Sequence, residues 1–121
     1  MISRFNGDAE FHTDERCYIV EAHNRDDDPK CSIARARVSP GVTTQLHALR
    51  GIDERYIILE GVGWVEIDGQ APVLVQALDT VFIPAGKSQR ISNNTASDLV
   101  FLCVCTPRFQ PHAYFSLDDA G

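Results

Sequence analysis

GVTTQLHALRGIDERYIILEG, residues 41–61, is the most informative segment of this 121-residue chain. A glycine stands at each end of it, and His47 precedes Glu54 by seven positions. The residues from Arg55 to Leu59 are rich in aromatic and β-branched side chains, which favours an extended strand. An imidazole and a carboxyl group on such a segment are candidates for metal ligation or for proton transfer.

Short strands separated by turns are indicated over most of the remaining chain. Residues 31–38 alternate between two faces, Asp68-Gly69 is a turn signal, and residues 99–105 are uniformly apolar. No segment of ten or more residues has a convincing helical period. This pattern predicts an all-β protein whose strands are closed into a barrel or packed as a sandwich.

A second segment, PAGKSQRISN at residues 84–93, follows at a distance of about thirty residues. Together the two stretches resemble the two signature motifs of the cupin superfamily. The matching positions are Gly41, His47, Glu54 and Gly61 in the first motif, and Asp79, Pro84, Gly86 and Asn93 in the second. The resemblance covers about residues 31–107. It implies a double-stranded β-helix, the cupin jelly-roll barrel, in a single domain over residues 1–121 with short N- and C-terminal extensions.

Three positions depart from the cupin pattern. Leu49 and Gln89 stand where each motif has a histidine, and Leu78 stands where the second motif begins with glycine. The resemblance implies that His47, Glu54 and Gln89 hold a divalent transition metal, either Fe, Mn, Ni or Zn. Because an amide oxygen is a weaker donor than imidazole, this reduced set would bind metal less tightly than a full site. The alternatives are a hydrogen-bonded His47 in a metal-free barrel and a Gln89 that bonds to a pocket ligand or water.

A small, mostly apolar pocket is expected around these groups. If Glu54 faces the barrel interior, strand alternation sends Tyr56 and Ile58 inward as well, and Gln89 takes Ile91 with it. Glu54 and Tyr56 are the candidate catalytic residues, with Glu54 as a general base and Tyr56 orienting the substrate. The predicted lining is completed by Leu49, Ile58, Ile91, Cys103 and Cys105.

Arg35 and Arg37 share one face of the strand over residues 31–38. On an inward face two guanidinium groups must meet anions, because burying an unpaired one is costly. They are therefore candidate pocket residues that clamp a carboxylate or phosphate of the ligand. The alternative is that their face is the outside of the sheet or a subunit contact, where both pair with Asp or Glu.

Charge and composition narrow the class of partner. The net charge of −6 and the pI near 5.0 argue against a nucleic acid or an anionic membrane, so a small-molecule ligand is expected. No apolar run approaches the length of a membrane span, and residues 1–10 lack the pattern of a secretory signal. The four cysteines have no CxxC spacing and are expected to be free thiols in a cytoplasmic protein.

The sequence is compatible with three functions. The first is a metal-binding cupin that acts on a small molecule as a dioxygenase- or lyase-type enzyme. The second is a non-catalytic, metal-free cupin that binds a small ligand or regulates. The third is a metal-free isomerase or epimerase in which His47 and Glu54 form an acid–base pair. The resemblance also implies a homodimer, in which residues 17–21 are exchanged between subunits.

Overall fold

The computed structural model describes residues 1–118, and their regular structure is almost entirely β. The strands are β1 (Phe11–His12), β2 (Tyr18–His23), β3 (Ser32–Val38), β4 (His47–Leu49), β5 (Asp53–Glu60), β6 (Val62–Ile67), β7 (Val73–Gln76), β8 (Thr80–Ile83), β9 (Gln89–Ser92), β10 (Leu99–Thr106) and β11 (Tyr114–Ser116). Two short 3-10 turns, Gly7–Ala9 and Pro111–Ala113, complete the regular elements of this range. The last three residues of the domain predicted over 1–121 lie outside the described range.

The strands form two antiparallel sheets, which confirms the predicted jelly roll. One sheet has the order β1-β2-β3-β10-β5-β8, and the other has the order β11-β4-β9-β6-β7. Strand β5 shows the expected alternation, since Glu54, Tyr56 and Ile58 are buried while Arg55 and Ile57 between them are partly exposed. Apolar side chains from both sheets fill the centre of the molecule, among them Val38, Ile58, Ile83, Ile91 and Leu99.

Two turn positions explain how the motif spacing produces this fold. Gly61 joins β5 to β6 with a φ of +84°, and a Cβ there would lie 2.5 Å from the carbonyl oxygen of Asp98. A side chain is therefore excluded at Gly61 by both conformation and space. Leu78, which replaces the first glycine of the second motif, keeps the left-handed conformation with a φ of 74°. Its side chain is 82 % exposed, so leucine is tolerated because nothing blocks it.

Arg35 and Arg37 lie on the face of β3 that points away from the core, under the N-terminal extension. Glu10 accepts hydrogen bonds from both guanidinium groups, at 3.1 Å from Arg35 Nη2 and 2.6 Å from Arg37 Nη2. These bonds, chiefly the one from Arg37, lower the pKa of the Glu10 carboxyl. The pairing corrects the expectation that the two arginines belong to the pocket, because strand alternation turns Ala34 and Ala36 inward instead.

The segment expected to exchange between subunits is paired within its own chain. Strand β2 lies between β1 and β3, with Ile19 opposite Phe11 on one side and opposite Ala36 on the other. Nothing in residues 1–118 forms a helix that is long and apolar enough to cross a membrane.

Candidate functional site

A cavity of about 290 Å³ opens between the two sheets, at the end where β5 begins and β10 finishes. Its deep wall is made of side chains that are almost fully buried, namely Ser32, His47, Leu49, Glu54 and Cys105. Its outer wall includes the exposed residues Phe11, Glu21 and Pro111. The arrangement is a small concave site with a mostly apolar surface and a few polar groups at its base, as is typical of small-molecule sites.

The structure brings five of the sequence-predicted site residues together around this cavity: His47, Leu49, Glu54, Cys103 and Cys105. Pairing of β10 with β5 places Cys105 opposite Glu54 and Cys103 opposite Tyr56. Both thiols have a raised pKa because they are removed from water, so they remain protonated and unreactive at neutral pH. The two thiols therefore form part of the cavity wall and act as weak hydrogen-bond donors.

Four other predicted residues lie behind the wall of the cavity. Ile58 and Ile91 are fully buried in the apolar core, and the ring of Tyr56 packs on Phe101 with 4.6 Å between ring centroids. Gln89 is buried too, and its Oε1 accepts a hydrogen bond from the Tyr56 hydroxyl. This corrects the expectation that Tyr56, Ile58 and Ile91 line the pocket. Strand alternation correctly predicts that these side chains point to the interior. Beyond Glu54, however, the interior is filled by the apolar core and the cavity does not extend to them.

Glu54 is the most unusual polar group of the site. It is 7 % exposed, and its Oε2 accepts only a long contact of 3.8 Å from the Cys105 thiol. Within residues 1–118, its Oε1 has no hydrogen-bond partner, and neither has the nearby Nε2 of Gln89. Burial raises the pKa of Glu54 to about 7, against the opposing influence of Gln89 and the two thiols. Near neutral pH this carboxyl group can therefore both give and take a proton.

His47 is held in one tautomer on the wall of the same cavity. Its Nδ1 lies 2.8 Å from the carbonyl oxygen of Gln45, and since a carbonyl only accepts, Nδ1 carries the proton. The lone pair is thus on Nε2. Burial lowers the pKa of His47, so the ring is neutral at pH 7. Tyr114 stacks on this ring with 4.7 Å between centroids and 20° between planes.

Sequence reasoning missed ten of the fifteen lining residues, and Glu15, Phe109 and Tyr114 are the three of these that matter most for the chemistry. Glu15 comes from the loop between β1 and β2, while Phe109 and Tyr114 come from the tail. Pairing of β11 with β4 sets Tyr114 opposite Leu49, and so the tail closes one side of the cavity. Burial and the charge of Glu54 raise the pKa of Glu15 to about 7. The only available signal was the aromatic content of the tail, since nothing in the loop sequence marks Glu15.

The donor set does not fit the transition-metal centre that the resemblance implied. Residues 1–118 contain no group of three or more His, Cys, Asp or Glu side chains arranged to hold a metal ion. Leu49 offers no donor atom, and the Oε1 of Gln89 is engaged by the Tyr56 hydroxyl. Of the positions at which the motifs carry ligands, His47 and Glu54 keep a free donor, which is one ligand fewer than the three protein ligands usual in catalytic zinc sites. This donor set does not support chemistry at a bound metal.

Comparison with solved structures agrees with the fold. A predicted oxalate decarboxylase from Thermotoga maritima is 25% identical, with a TM-score of 0.74 over 88% of this chain and 99% of that one. The nucleoside dehydratase Pac13 has a TM-score of 0.80 at 12% identity, covering 100% of this chain and 95% of that one. KdgF from Halomonas sp. has a TM-score of 0.76 at 15% identity, covering 88% and 96%.

No curated protein sequence was found to match the chain. Residues 34–105, more than half of the chain, match the family described as "Cupin domain". This range falls inside the stretch over which the two motifs were recognised, and it includes the strands that carry His47, Glu54 and Gln89. The chain therefore belongs to the cupin domain family.

Proposed function

We propose that this protein is a cupin-type enzyme that transforms a small molecule by acid–base catalysis in the cavity, with His47 as the base and protonated Glu54 as the acid. The observation that carries the proposal is the opposite perturbation of two groups on one wall. Burial keeps His47 neutral and raises the pKa of Glu54 to about 7. Both groups are then in the protonation state that proton transfer requires near neutral pH.

The reaction class follows from one base and one acid beside an apolar cavity. Nε2 of His47 takes a proton from a carbon next to an activating group, and the Glu54 carboxyl gives its proton elsewhere on the same molecule. If Glu54 protonates a departing hydroxyl, the carbon–oxygen bond breaks, a double bond forms and water leaves. If it protonates a neighbouring carbon or carbonyl oxygen, the product is an isomer. The proposed activities are thus a dehydratase-type lyase or an isomerase.

The activities that the structural neighbours are described as having differ in how well they agree with the proposed reaction class. Pac13 is described as a nucleoside dehydratase, an activity of the proposed type. Oxalate, which the name of the Thermotoga protein suggests, is a dianion, whereas the lining here includes Glu15, Glu21 and Glu54 and no lysine or arginine. Bringing a dianion against these carboxyl groups is electrostatically unfavourable. An uncharged or cationic substrate is favoured on this ground.

A second candidate, a non-catalytic ligand-binding cupin, is favoured by one observation. Tyr56 and Gln89, the residues expected to orient a substrate, are bonded to each other behind the cavity wall. Within residues 1–118, His47 and Glu54 are then the polar groups of the deep wall with a perturbed pKa, and the rest of that wall is suited to binding.

The deciding experiment is proton exchange in D₂O followed by NMR, on a panel of polyols, hydroxy-carbonyl compounds and nucleosides. We expect the wild type to introduce deuterium at a carbon or to release an elimination product from at least one compound. His47→Gln should slow this exchange by about 100-fold or more, as is typical for loss of a general base. His112→Gln, which changes an exposed histidine outside the cavity, should leave the rate unchanged. Ligand binding without any exchange would support the binding protein instead.

A further inference from the structure

Three carboxyl groups line the cavity, those of Glu15, Glu21 and Glu54. Within residues 1–118, no lysine or arginine contributes to the lining, and only Glu21 at the outer wall has an arginine, Arg108, close enough to lower its pKa. Within residues 1–118, neither Glu15 nor Glu54 forms an ion pair, although acidic side chains elsewhere pair with arginine, as Glu10 does with Arg37. Burial raises the pKa of Glu15 and of Glu54 to about 7, and it raises that of the more exposed Glu21 against the influence of Asn24 and Arg108. Ionising these acids in the cavity thus carries an energetic cost that a positive charge would relieve.

An independent observation points to a ligand in the same place. Glu54 is more than nine-tenths buried and lines the cavity, and no hydrogen-bond donor of the described chain, residues 1–118, reaches its Oε1. Buried polar atoms of this kind are rare in folded proteins because an unmade hydrogen bond is costly. A ligand that brings an O–H or N–H group to this depth would satisfy the atom.

The apolar side of the cavity has the chemistry that surrounds organic cations. Phe11 and Phe109 supply aromatic rings to its lining, and Tyr114 adds a third that is fixed by stacking on His47. Ring faces carry negative electrostatic potential, and several of them around one space attract an ammonium group, most strongly when it bears methyl groups. The aromatic rings and the unpaired carboxyl groups of this cavity therefore both favour binding of an organic cation.

We propose that the ligand of this cavity is a small organic cation that also carries a hydroxyl or amide hydrogen, such as an amino alcohol. Its ammonium group lies among the aromatic rings beside Glu15, and its hydroxyl or amide donates to Oε1 of Glu54. The inference names the substrate class of the proposed acid–base site and in that sense rests on it. Glu15 is the counter-ion, so Glu54 retains its proton for transfer.

The test compares two probes of nearly equal shape, choline and its neutral isostere 3,3-dimethyl-1-butanol, by NMR titration of the protein at pH 7.5. We expect choline to bind about tenfold more tightly, in keeping with cation–π contacts in a largely desolvated site. Glu15→Gln should reduce this preference by weakening choline alone, because the aromatic rings remain in the variant. Glu60→Gln, a matched change at an exposed position outside the cavity, should preserve it.

Equal affinity of the two probes, tighter binding of the alcohol, or no binding of either would overturn the inference. So would a choline preference that persists undiminished in Glu15→Gln. The titration needs no turnover, so the two proposals fail separately. Choline selectivity without any effect of His47→Gln on proton exchange would contradict the catalytic proposal only. Proton exchange on neutral compounds, together with no preference for choline, would contradict only the inference that the ligand is a cation.

Discussion

The ring of Tyr114 covers the imidazole of His47, with 4.7 Å between centroids and 20° between the ring planes. The hydroxyl of Tyr114 donates to Oε1 of Gln45 at 2.5 Å, and the backbone carbonyl of the same Gln45 accepts from His47 Nδ1. One residue therefore anchors both rings. The tail acts on the chemistry of His47 by removing it from water, as well as by closing the cavity.

Removing this cover should raise the pKa of His47. Burial is the main cause that lowers it, so Tyr114→Leu should move the value back towards 6.5, the ordinary value of histidine. Tyr114→Phe keeps the stacked ring and should leave the pKa closer to that of the wild type. The measurement is an NMR titration of the His47 ring protons in the three proteins. A lower pKa in Tyr114→Leu than in the wild type would contradict the proposed role of the tail.

The sequence predicted the fold well because its main determinants are local. Glycine at position 61 is required by a left-handed turn with no room for a side chain, and strand alternation turned Glu54 inward. These requirements leave a fixed spacing in the sequence, and such a spacing can be recognised without coordinates.

The composition of the cavity wall was less predictable, for an equally physical reason. Alternation tells which face a side chain occupies but not how far along the strand the core extends, so Tyr56 and Ile58 were placed in the pocket. Glu15 and Tyr114 reach the site through a loop and a tail whose positions depend on tertiary contacts. Pairing of β11 with β4 is one of these contacts, and no local pattern announces it.

The buried carboxyl group of Glu54 should make stability depend on pH. Its pKa is about 7 in the folded protein against 4.5 in the unfolded chain, so the folded state binds more protons between these values. The free energy of unfolding should therefore fall as the pH rises from 4.5 through 7. Glu54→Gln removes this penalty and should stabilise the protein by about 1–3 kcal/mol at pH 8 relative to its effect at pH 5.

Urea denaturation of both proteins at the two pH values would measure this difference. Glu60→Gln, at an exposed position, serves as the control and should have the same effect at pH 5 as at pH 8. A Glu54→Gln protein whose relative stability does not change with pH would show that Glu54 ionises freely in the folded state.

Leu78 should be a site of easy stabilisation. It holds a φ of 74°, which costs about 1–2 kcal/mol for a residue with a Cβ, and its side chain is 82 % exposed. Leu78→Gly should raise the free energy of unfolding by up to about 1 kcal/mol, after the entropic cost of glycine is subtracted. The control Leu74→Gly lies in β7, away from any left-handed turn, and should destabilise instead. Thermal unfolding of both variants would reveal a wrong sign directly.

A dimer is still proposed on the basis of exposed apolar surface near the N-terminus. Met1, Ile2, Phe5 and Phe11 are between 51% and 72% exposed, and β1 is an edge strand with one free side. Light scattering should give twice the chain mass of 13.4 kDa at micromolar concentration. Phe5→Ser should shift the equilibrium towards the monomer, whereas Leu78→Ser on a distant turn should not. A monomer at all concentrations would refute the proposal.

Chelation should have little effect on this protein, because within residues 1–118 no three potential ligands are grouped so as to hold a metal ion. Leu49 and Gln89 occupy the two positions where the motifs carry further histidines, and Gln89 Oε1 is already bonded to Tyr56. A bound metal would stabilise the folded state in proportion to its affinity, so its removal would lower the melting temperature. We expect the same melting temperature with and without EDTA.

Elemental analysis of protein purified without a tag or chelator should give far less than one equivalent of Fe, Mn, Ni or Zn. A near-stoichiometric metal that disappears in His47→Ala would contradict this expectation and would return His47 and Glu54 to the role of ligands. Leu49→His is the comparison variant. Because His47 and residue 49 line the same cavity, a second imidazole at position 49 should raise the affinity for metal.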